Sequence, residues 1–278
     1  MKNLTILRGV LQWKGRSDSP VTVRGRTVKK KDKKGKEACM REYFKKLYGG
    51  SEKSFHAVLR DALKNEKKMF VLTANPEMFM IGAENPDFDR VLKSERTVIV
   101  PDGIGIVRAA RSLSLPAEKI TGVEIVSCLL RAADEMGKSM YLYGAKPEVL
   151  EALTAVIHEQ YPHAVIAGMH DGYSGDAEPV FADAIAKKPD IMLVALGIPR
   201  QELLIDQYYD RFDKGIFIGV GGSFDVLSGC KKRAPAFFIK LNLEWLYRIV
   251  CEPKRMSRFF KSNVRFLSRT RKLEREGL

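Results

Sequence analysis

Six short, almost wholly apolar runs alternate with helical patterns through most of this chain of 278 residues. Strands that are apolar along their whole length, and not only at alternate positions, are typical of a parallel sheet covered on both faces. The six runs are 69–73, 97–100, 139–143, 164–167, 191–196 and 216–220. With helices between them, they predict an α/β fold with a doubly wound, mainly parallel sheet. In such a sheet, ligands bind beyond the carboxyl ends of the strands.

Charge is distributed unevenly along the chain. Residues 1–53 hold 16 Lys and Arg against 5 Asp and Glu, and residues 231–278 hold 14 against 4. The middle, 54–230, holds 18 against 25 and is mildly acidic. A nucleic-acid enzyme usually carries its basic surface across the substrate groove, so basic ends around an acidic centre argue against that class. The pattern favours basic arms that meet an anionic partner.

The charge distribution and the hydrophobic periodicity together predict that the chain has three segments. Residues 24–36 carry eight basic residues and almost no apolar ones, so we expect a solvated segment there. The expected division is a basic N-terminal arm at 1–53, an α/β catalytic core at 54–234 and a basic, helical C-terminal appendage at 235–278.

Cysteine spacing and hydropathy limit cofactors and location. The four cysteines are Cys39, Cys128, Cys230 and Cys251, and no pair has metal-ligand spacing. We therefore expect ordinary thiols in a reducing cytoplasm, with no metal or cofactor. No apolar run approaches the roughly 18–20 residues of a membrane-spanning helix, so any membrane contact is expected to be peripheral.

Polar side chains follow the first two strands. Thr73 and Asn75 precede a helix opened by Pro76, where a hydroxyl and an amide suit sugar hydroxyls or phosphate oxygens; plain helix capping is the alternative. Asp102 and Gly103 follow the second strand. A carboxylate there suits a general base that takes the proton of an attacking hydroxyl, and a turn aspartate is the alternative.

Two further turns follow the fifth and sixth strands. Gln201 lies at the start of a helix, where it can contact a sugar or base edge. For the neighbouring Glu202, complementing the helix dipole is a sufficient explanation. Gly221 and Gly222 belong to a glycine-rich turn that ends at Asp225. Such a turn lets backbone N–H groups approach a diphosphate, although close packing of one chain segment on another explains glycines equally well.

Seven motifs, taken in order, resemble the WecG/TagA/CpsF family of bacterial glycosyltransferases. They are TANPEM, PDGIGIV, TGVEI, GIPRQE, GVGGSFDVLSG, RAP and LEWLYRIVCEPKR. The resemblance runs from about residue 71 to about residue 258, and it does not extend to the first 50 residues. It implies a Rossmann-like domain that moves a sugar from a UDP-sugar, with inversion, to a sugar on undecaprenyl diphosphate. The branch it most resembles transfers N-acetylmannosamine to N-acetylglucosamine for teichoic acid; other branches transfer N-acetylmannosaminuronic acid, glucose or galactose.

The resemblance also assigns roles to individual residues. It implies that Asp102 is the catalytic base, with Thr73 beside it in the catalytic centre. The substrate-binding residues that it implies are Asn75, Gly103, Gln201, Gly221, Gly222, Asp225, Arg248, Arg255 and Arg258. The three arginines belong to an appendage that closes over the site. Guanidinium groups can neutralise the charge that the departing UDP gains, which makes a metal unnecessary.

The composition of the C-terminal appendage indicates what the protein binds, and two rival protein classes stay open. Residues 235–270 mix large apolar and basic side chains, which suits an anionic membrane surface; a helix packed on the core is the alternative. We expect a peripheral enzyme on the cytoplasmic face of the membrane that binds no nucleic acid, and a homo-oligomer is left open. A basic-armed nucleic-acid-binding protein and a nucleotide-dependent oxidoreductase are the rival classes. The turn after the first strand lacks the dinucleotide fingerprint.

Overall fold

A computed structural model gives the architecture of the chain. It describes residues 10–11, 23–24, 33–241, 243–251 and 256–276. Within these ranges, only the backbone is described at positions 10, 11, 23, 24, 33, 34, 236, 239, 248, 249, 251 and 256–259.

Six strands form one all-parallel sheet with the order β4-β3-β8-β7-β5-β6, and two short strands form a separate antiparallel pair. The strands are β1 (Val10–Leu11), β2 (Val23–Arg24), β3 (Lys68–Ala74), β4 (Thr97–Pro101), β5 (Ser139–Gly144), β6 (Val165–His170), β7 (Ile191–Ala195) and β8 (Gly215–Gly219). The six apolar runs are all strands of the parallel sheet, so the predicted fold class is confirmed.

Helices connect the strands and follow the last one. They are α1 (Lys33–Lys45), α2 (Glu52–Lys64), α3 (Pro76–Glu84), α4 (Pro86–Lys93), α5 (Ile104–Ser112), α6 (Gly122–Met136), α7 (Pro147–Gln160), α8 (Ala177–Lys187), α9 (Arg200–Tyr208), α10 (Ser223–Leu227), α11 (Ala236–Lys240), α12 (Glu244–Cys251) and α13 (Met256–Glu276). A 3₁₀ turn at Tyr209–Arg211 extends α9. Ser51 is the N-cap of α2, because the Ser51 hydroxyl accepts the N–H of Ser54.

Two hydrophobic layers cover the two faces of the sheet. Along β3, Phe70 and Leu72 belong to one layer and Val71 to the other, as the alternation of side chains along a strand requires. The first layer draws on α1, α3, α4, α5, α8, α9 and α13, and the second on α2, α6, α7 and α10. Both faces are therefore dry, which explains why the strands lack polar alternation.

The described part of the N-terminal arm is packed against the core. The last four residues of the lysine-rich segment, 33–36, form the first turn of α1, whereas residues 25–32 lie outside the described part. In α1, Cys39, Met40, Tyr43 and Phe44 are buried in the first layer. Their i, i+1, i+4, i+5 spacing gives the helix one apolar face, which the neighbouring charges conceal in the sequence.

The described residues of the C-terminal appendage form three helices, α11, α12 and α13. Its longest helix, α13, buries Phe266 and Leu273 against the first layer. Ion pairs from α13 support this packing: Lys272 contacts Glu37 of α1, and Arg269 contacts Glu84 of α3 at 3.6 Å. Among the helices that the structure describes, none is long and apolar enough to cross a membrane.

Candidate active site

The candidate residues follow β3, β4, β7 and β8, and the sheet is parallel, so all of them lie at its carboxyl edge. Since β3 lies between β4 and β8, the turn with Asp102 and the glycine turn after β8 are about two strand spacings, or about 10 Å, apart. Residues more than 100 positions apart in the sequence are thus brought to one edge.

Asp102 is fixed by its backbone. The N–H groups of Asp102 and Gly103 both donate to the carbonyl of Ala74, at 2.9 and 3.3 Å. A Cβ atom added at Gly103 would lie 3.7 Å from Asn75 Cβ. The turn after β4 therefore packs against the start of α3, and the half-buried Asp102 is held at the boundary between two strand ends.

Asn75 caps the helix that follows β3. Its Oδ1 accepts the N–H of Met78 at 2.9 Å, and Pro76 occupies the first turn of α3. The capping interpretation is thus confirmed for the side-chain oxygen. A direct contact of Asn75 with substrate stays a prediction, and its half-buried amide lies beside Gly103.

Thr73 meets two segments that sequence analysis did not assign to the site. A Cβ atom added at Gly122 would lie 3.5 Å from Ser223 Oγ and 3.7 Å from Thr73 Cγ2. The end of β3 and the first residues of α6 and α10 therefore converge. The side chains of Thr73 and Ser223 thus both lie next to Gly122, at contact distances that would still admit a small side chain there. The sequence does contain a signal for this contact. In the TGVEI motif, Gly122, which has no side chain, directly follows Thr121, the residue that caps α6.

Gln201 is buried and joins two loops. Its Oε1 accepts the N–H of Gly197 after β7 at 3.0 Å and that of Gly221 after β8 at 3.2 Å. A Cβ atom at Gly219 would lie 2.4 Å from Gln201 Nε2, so only glycine fits there. In this conformation Gln201 positions the loops; its contact with a sugar or base stays a prediction.

Glu202, next to Gln201, is almost fully buried. Its Oε1 accepts the amide N–H of Gln201 at 2.7 Å, whereas its Oε2 has no hydrogen-bond partner within the described part of the chain. Burial raises the pKa of Glu202 to about 7, and the Gln201 hydrogen bond only partly offsets this. The prediction that Gln201 and Glu202 lie at a helix start is confirmed, but the side chain of Glu202 lies inside the protein.

The glycine turn leaves space at one position. Gly221 has φ +48°, and nothing lies within 4 Å of an added Cβ, so the backbone is open to a ligand there. A Cβ atom at Gly222 would lie 3.8 Å from Asp225 Oδ2. Asp225 itself forms an ion pair with Lys231 at 3.3 Å. The carboxylate of Asp225 thus lies over the turn, within reach of a ligand at Gly221.

The appendage borders this edge of the sheet. Arg233, from the RAP motif, contacts Glu124 of α6 at 3.4 Å, and Lys119 contacts Glu244 of α12 at 3.3 Å. Asn263 Oδ1 of α13 would be 3.9 Å from a Cβ at Gly105, three residues after Asp102. Helix α13 therefore lies next to the helix start that follows the candidate base.

Three arginines of the appendage are predicted to bind substrate. The side chains of Arg248 and Arg258 and the whole of Arg255 lie outside the described residues.

The His, Cys, Asp and Glu side chains decide whether the protein can hold a metal ion. Across the part of the chain that the structure describes, no three or more His, Cys, Asp or Glu side chains are grouped closely enough to hold a metal ion. The only Asp-x-Asp triplet of the sequence lies in α4, where Asp87 is exposed and Asp89 is buried against Tyr43.

Comparison with known proteins identifies the family of the chain. The model of the glycosyl transferase WecG/TagA/CpsF family matches residues 46–277. Three relatives carry the name N-acetylglucosaminyldiphosphoundecaprenol N-acetyl-beta-D-mannosaminyltransferase. The Bacillus spizizenii protein is 40% identical over 197 residues (70% of this chain, 76% of the relative). The Bacillus subtilis protein is 41% identical over 189 residues (68% and 73%). The Staphylococcus aureus protein is 34% identical over 216 residues (77% and 84%). The chain therefore belongs to the WecG/TagA/CpsF family and is a glycosyltransferase.

Proposed function

We propose that the chain transfers N-acetylmannosamine from its UDP derivative to N-acetylglucosamine carried on undecaprenyl diphosphate. The names of the relatives support the sugar and the acceptor. The observation that carries the mechanism is Asp102, held by the Ala74 carbonyl at the carboxyl edge, two strands from the open glycine turn. This spacing leaves room for a sugar between a base and a diphosphate.

The reaction follows from these positions. The acceptor hydroxyl gives its proton to the Asp102 carboxylate as its oxygen bonds to the anomeric carbon of the donor. The bond from that carbon to the diphosphate breaks on the opposite side, so the configuration inverts. UDP leaves with the bonding electrons, and basic groups of the appendage stabilise its added negative charge. Arg248, Arg255 and Arg258 are proposed for that role, with no metal required.

Asp102→Asn tests the base. The variant keeps the backbone N–H that donates to Ala74, so the fold and the melting temperature should be retained. Release of UDP in the presence of a lipid-diphosphate acceptor should fall about 10²- to 10⁴-fold. Asp213→Asn, a surface carboxylate paired only with Lys188 in the structure, is the matched control and should turn over normally. Full turnover in Asp102→Asn would rule out Asp102 as the base.

The sugar is the least constrained part of this proposal. N-acetylmannosaminuronic acid, glucose and galactose are the alternatives within the family. Turnover of each UDP-sugar against one lipid-linked acceptor distinguishes them. The comparisons favour neither the nucleic-acid-binding nor the oxidoreductase interpretation.

Peripheral binding to the cytoplasmic face of the membrane completes the proposal. Helix α13 has a second apolar stripe, opposite its buried one: Phe260, Val264 and Leu267 are exposed at i, i+4, i+7 spacing. Lys261 and Arg265 are exposed beside it. An apolar stripe flanked by cations suits an anionic lipid surface, and each cation adds up to ~1 kcal/mol there.

Val264→Asp tests this surface. The substitution places a charge in the exposed stripe without touching the buried face of α13. Co-sedimentation with phosphatidylglycerol vesicles should fall several-fold, while binding to phosphatidylcholine vesicles is weak for both proteins. Val58→Asp, at an exposed apolar position on α2, is the control. Unchanged sedimentation of Val264→Asp would exclude this stripe from membrane binding.

A further inference from the structure

The position of Asp102 fixes the direction in which a nucleotide-sugar can lie. Asp102 follows β4, which is an edge strand, and α13 approaches the site on that side. From Asp102 the carboxyl edge continues only past β3 and then past β8, β7, β5 and β6. With the sugar near Asp102 and the diphosphate at the glycine turn after β8, the nucleoside extends over the ends of β7, β5 and β6.

The distance agrees with this arrangement. The ends of β8 and β6 are three strand spacings, or about 14 Å, apart. This is comparable to the extended length of a nucleoside diphosphate. The loop after β6, residues 171–176, which we call the edge loop, is therefore within reach of the base.

The edge loop folds back onto the neighbouring strand ends. The N–H of Gly172 donates to the carbonyl of Ala145 after β5 at 2.9 Å. A Cβ atom at Gly172 would lie 2.8 Å from Leu196 Cδ2, after β7, and 3.2 Å from Gly144 Cα. Contacts this close place the following residue, Tyr173, beside the turns over which the nucleoside extends.

The backbone at Tyr173 is held firmly while its ring stays exposed. Asp171 Oδ1 accepts the N–H groups of Tyr173 and Ser174 at 2.7 and 2.8 Å, and Oδ2 accepts the Ser174 hydroxyl at 2.7 Å. The Tyr173 side chain is nevertheless 67% exposed. Within residues 35–235, Tyr173 is the only aromatic residue among the large apolar residues that the structure describes as exposed. A rigid loop that presents a bare ring is preorganised for stacking.

We propose that Tyr173 is the stacking surface for the nucleobase of the donor, which makes the edge loop the nucleoside subsite. This inference rests on the proposed function, because it presupposes a nucleotide-sugar donor. Asp171 is a positioning residue, since its carboxylate oxygens are engaged within the loop. Stacking on the ring contributes affinity for the nucleobase, and this contribution does not depend on which sugar the donor carries.

The test is isothermal titration of the full chain with UDP and with inorganic pyrophosphate, which lacks the base. Tyr173→Ala should weaken UDP binding about tenfold or more, since a base–aromatic stack is worth that much. Pyrophosphate binding should be unchanged. Tyr173→Phe, which keeps the ring, should retain UDP affinity. Val165→Ala, an exposed position at the far end of β6, is the matched control. In turnover, Tyr173→Ala should raise KM for the donor and leave kcat nearly unchanged.

The possible outcomes separate this inference from the proposed function. Wild-type UDP affinity in Tyr173→Ala would overturn the stacking role and leave the transferase proposal intact. An equal loss of pyrophosphate affinity would show a disturbed loop, and would also overturn the role of the ring. If the unaltered chain bound no UDP, the proposed donor class would fail, and the subsite with it.

Discussion

The two ends of the parallel sheet use their polar residues differently. At the amino end, Asp190 is buried and accepts the N–H and the hydroxyl of Ser139, both at 2.9 Å. Lys214 and Lys138 contact the same carboxylate at 2.9 and 3.4 Å, and both also contact Glu66. Two acids and two bases thus neutralise one another. This end stabilises the fold and presents no unbalanced charge to a ligand.

The carboxyl end is organised mainly through backbone contacts. Asp102 is held through its N–H, and Gln201 uses its oxygen to join two loops. Gly221 is open to space. The same six strands therefore support a closed network at one end and a site for ligands at the other. Substitutions at the amino end should change stability, and those at the carboxyl end should change turnover or the dependence of stability on pH.

The largest effect on stability is expected for Asp190→Ala. The change removes the acceptor for Ser139 and leaves two ammonium groups near each other, so the free energy of unfolding should fall by about 3 kcal/mol. Urea unfolding measures this, and kcat of the folded fraction should stay near the wild-type value. A hundredfold loss of kcat with unchanged stability would contradict the division between the two ends. Glu66→Gln, an exposed member of the same network, is the control and should have little effect on stability.

For Glu202→Gln we expect a change in stability that is at most of similar size and that depends on pH. In the folded chain the pKa of Glu202 is raised to about 7 from its ordinary 4.5, so the folded state holds a proton that the unfolded state loses. The free energy of unfolding of the wild type should therefore decrease as pH rises from about 4.5 to about 7. The variant stays neutral and should lack this decrease, making it more stable above pH 7 by up to about 3 kcal/mol. Urea unfolding at pH 5 and pH 8 measures the difference.

The control for Glu202 lies at the opposite end of the sheet. Burial alone would raise the pKa of Asp190, but hydrogen bonds from Lys214 and Ser139 outweigh it and hold the pKa below its ordinary value. Asp190 therefore stabilises the fold at neutral pH, and this contribution is lost as pH falls through its folded pKa. Opposite pH slopes for the two acids are expected. Parallel slopes would mean that folding does not raise the pKa of Glu202.

The sequence predicts the sheet better than the site. Strands covered on both faces are continuous apolar runs, so their number and positions were correct. The α1 helix was missed, because its lysines conceal the apolar face of Cys39, Met40, Tyr43 and Phe44.

The convergence of distant segments could not be predicted from local patterns. Thr73, Gly122 and Ser223 meet only because β8 pairs with β3. Likewise, a glutamine at a helix start gives no sign that it faces inward, and the buried position of Gln201 depends on the close approach of Gly219. Such contacts require knowledge of strand order, which hydrophobic periodicity does not contain.

The central place of β8 has a consequence for how the enzyme is made. This strand is the last of the sheet to be synthesised, yet it lies between β3 and β7. Until the ribosome has released residues 215–219, β3 and β4 have no bonded neighbour linking them to β5, β6 and β7. Contacts of such long sequence separation form late and slowly. A nascent or truncated chain that ends before β8 should therefore be inactive, not partly active, and a target for chaperones or proteases.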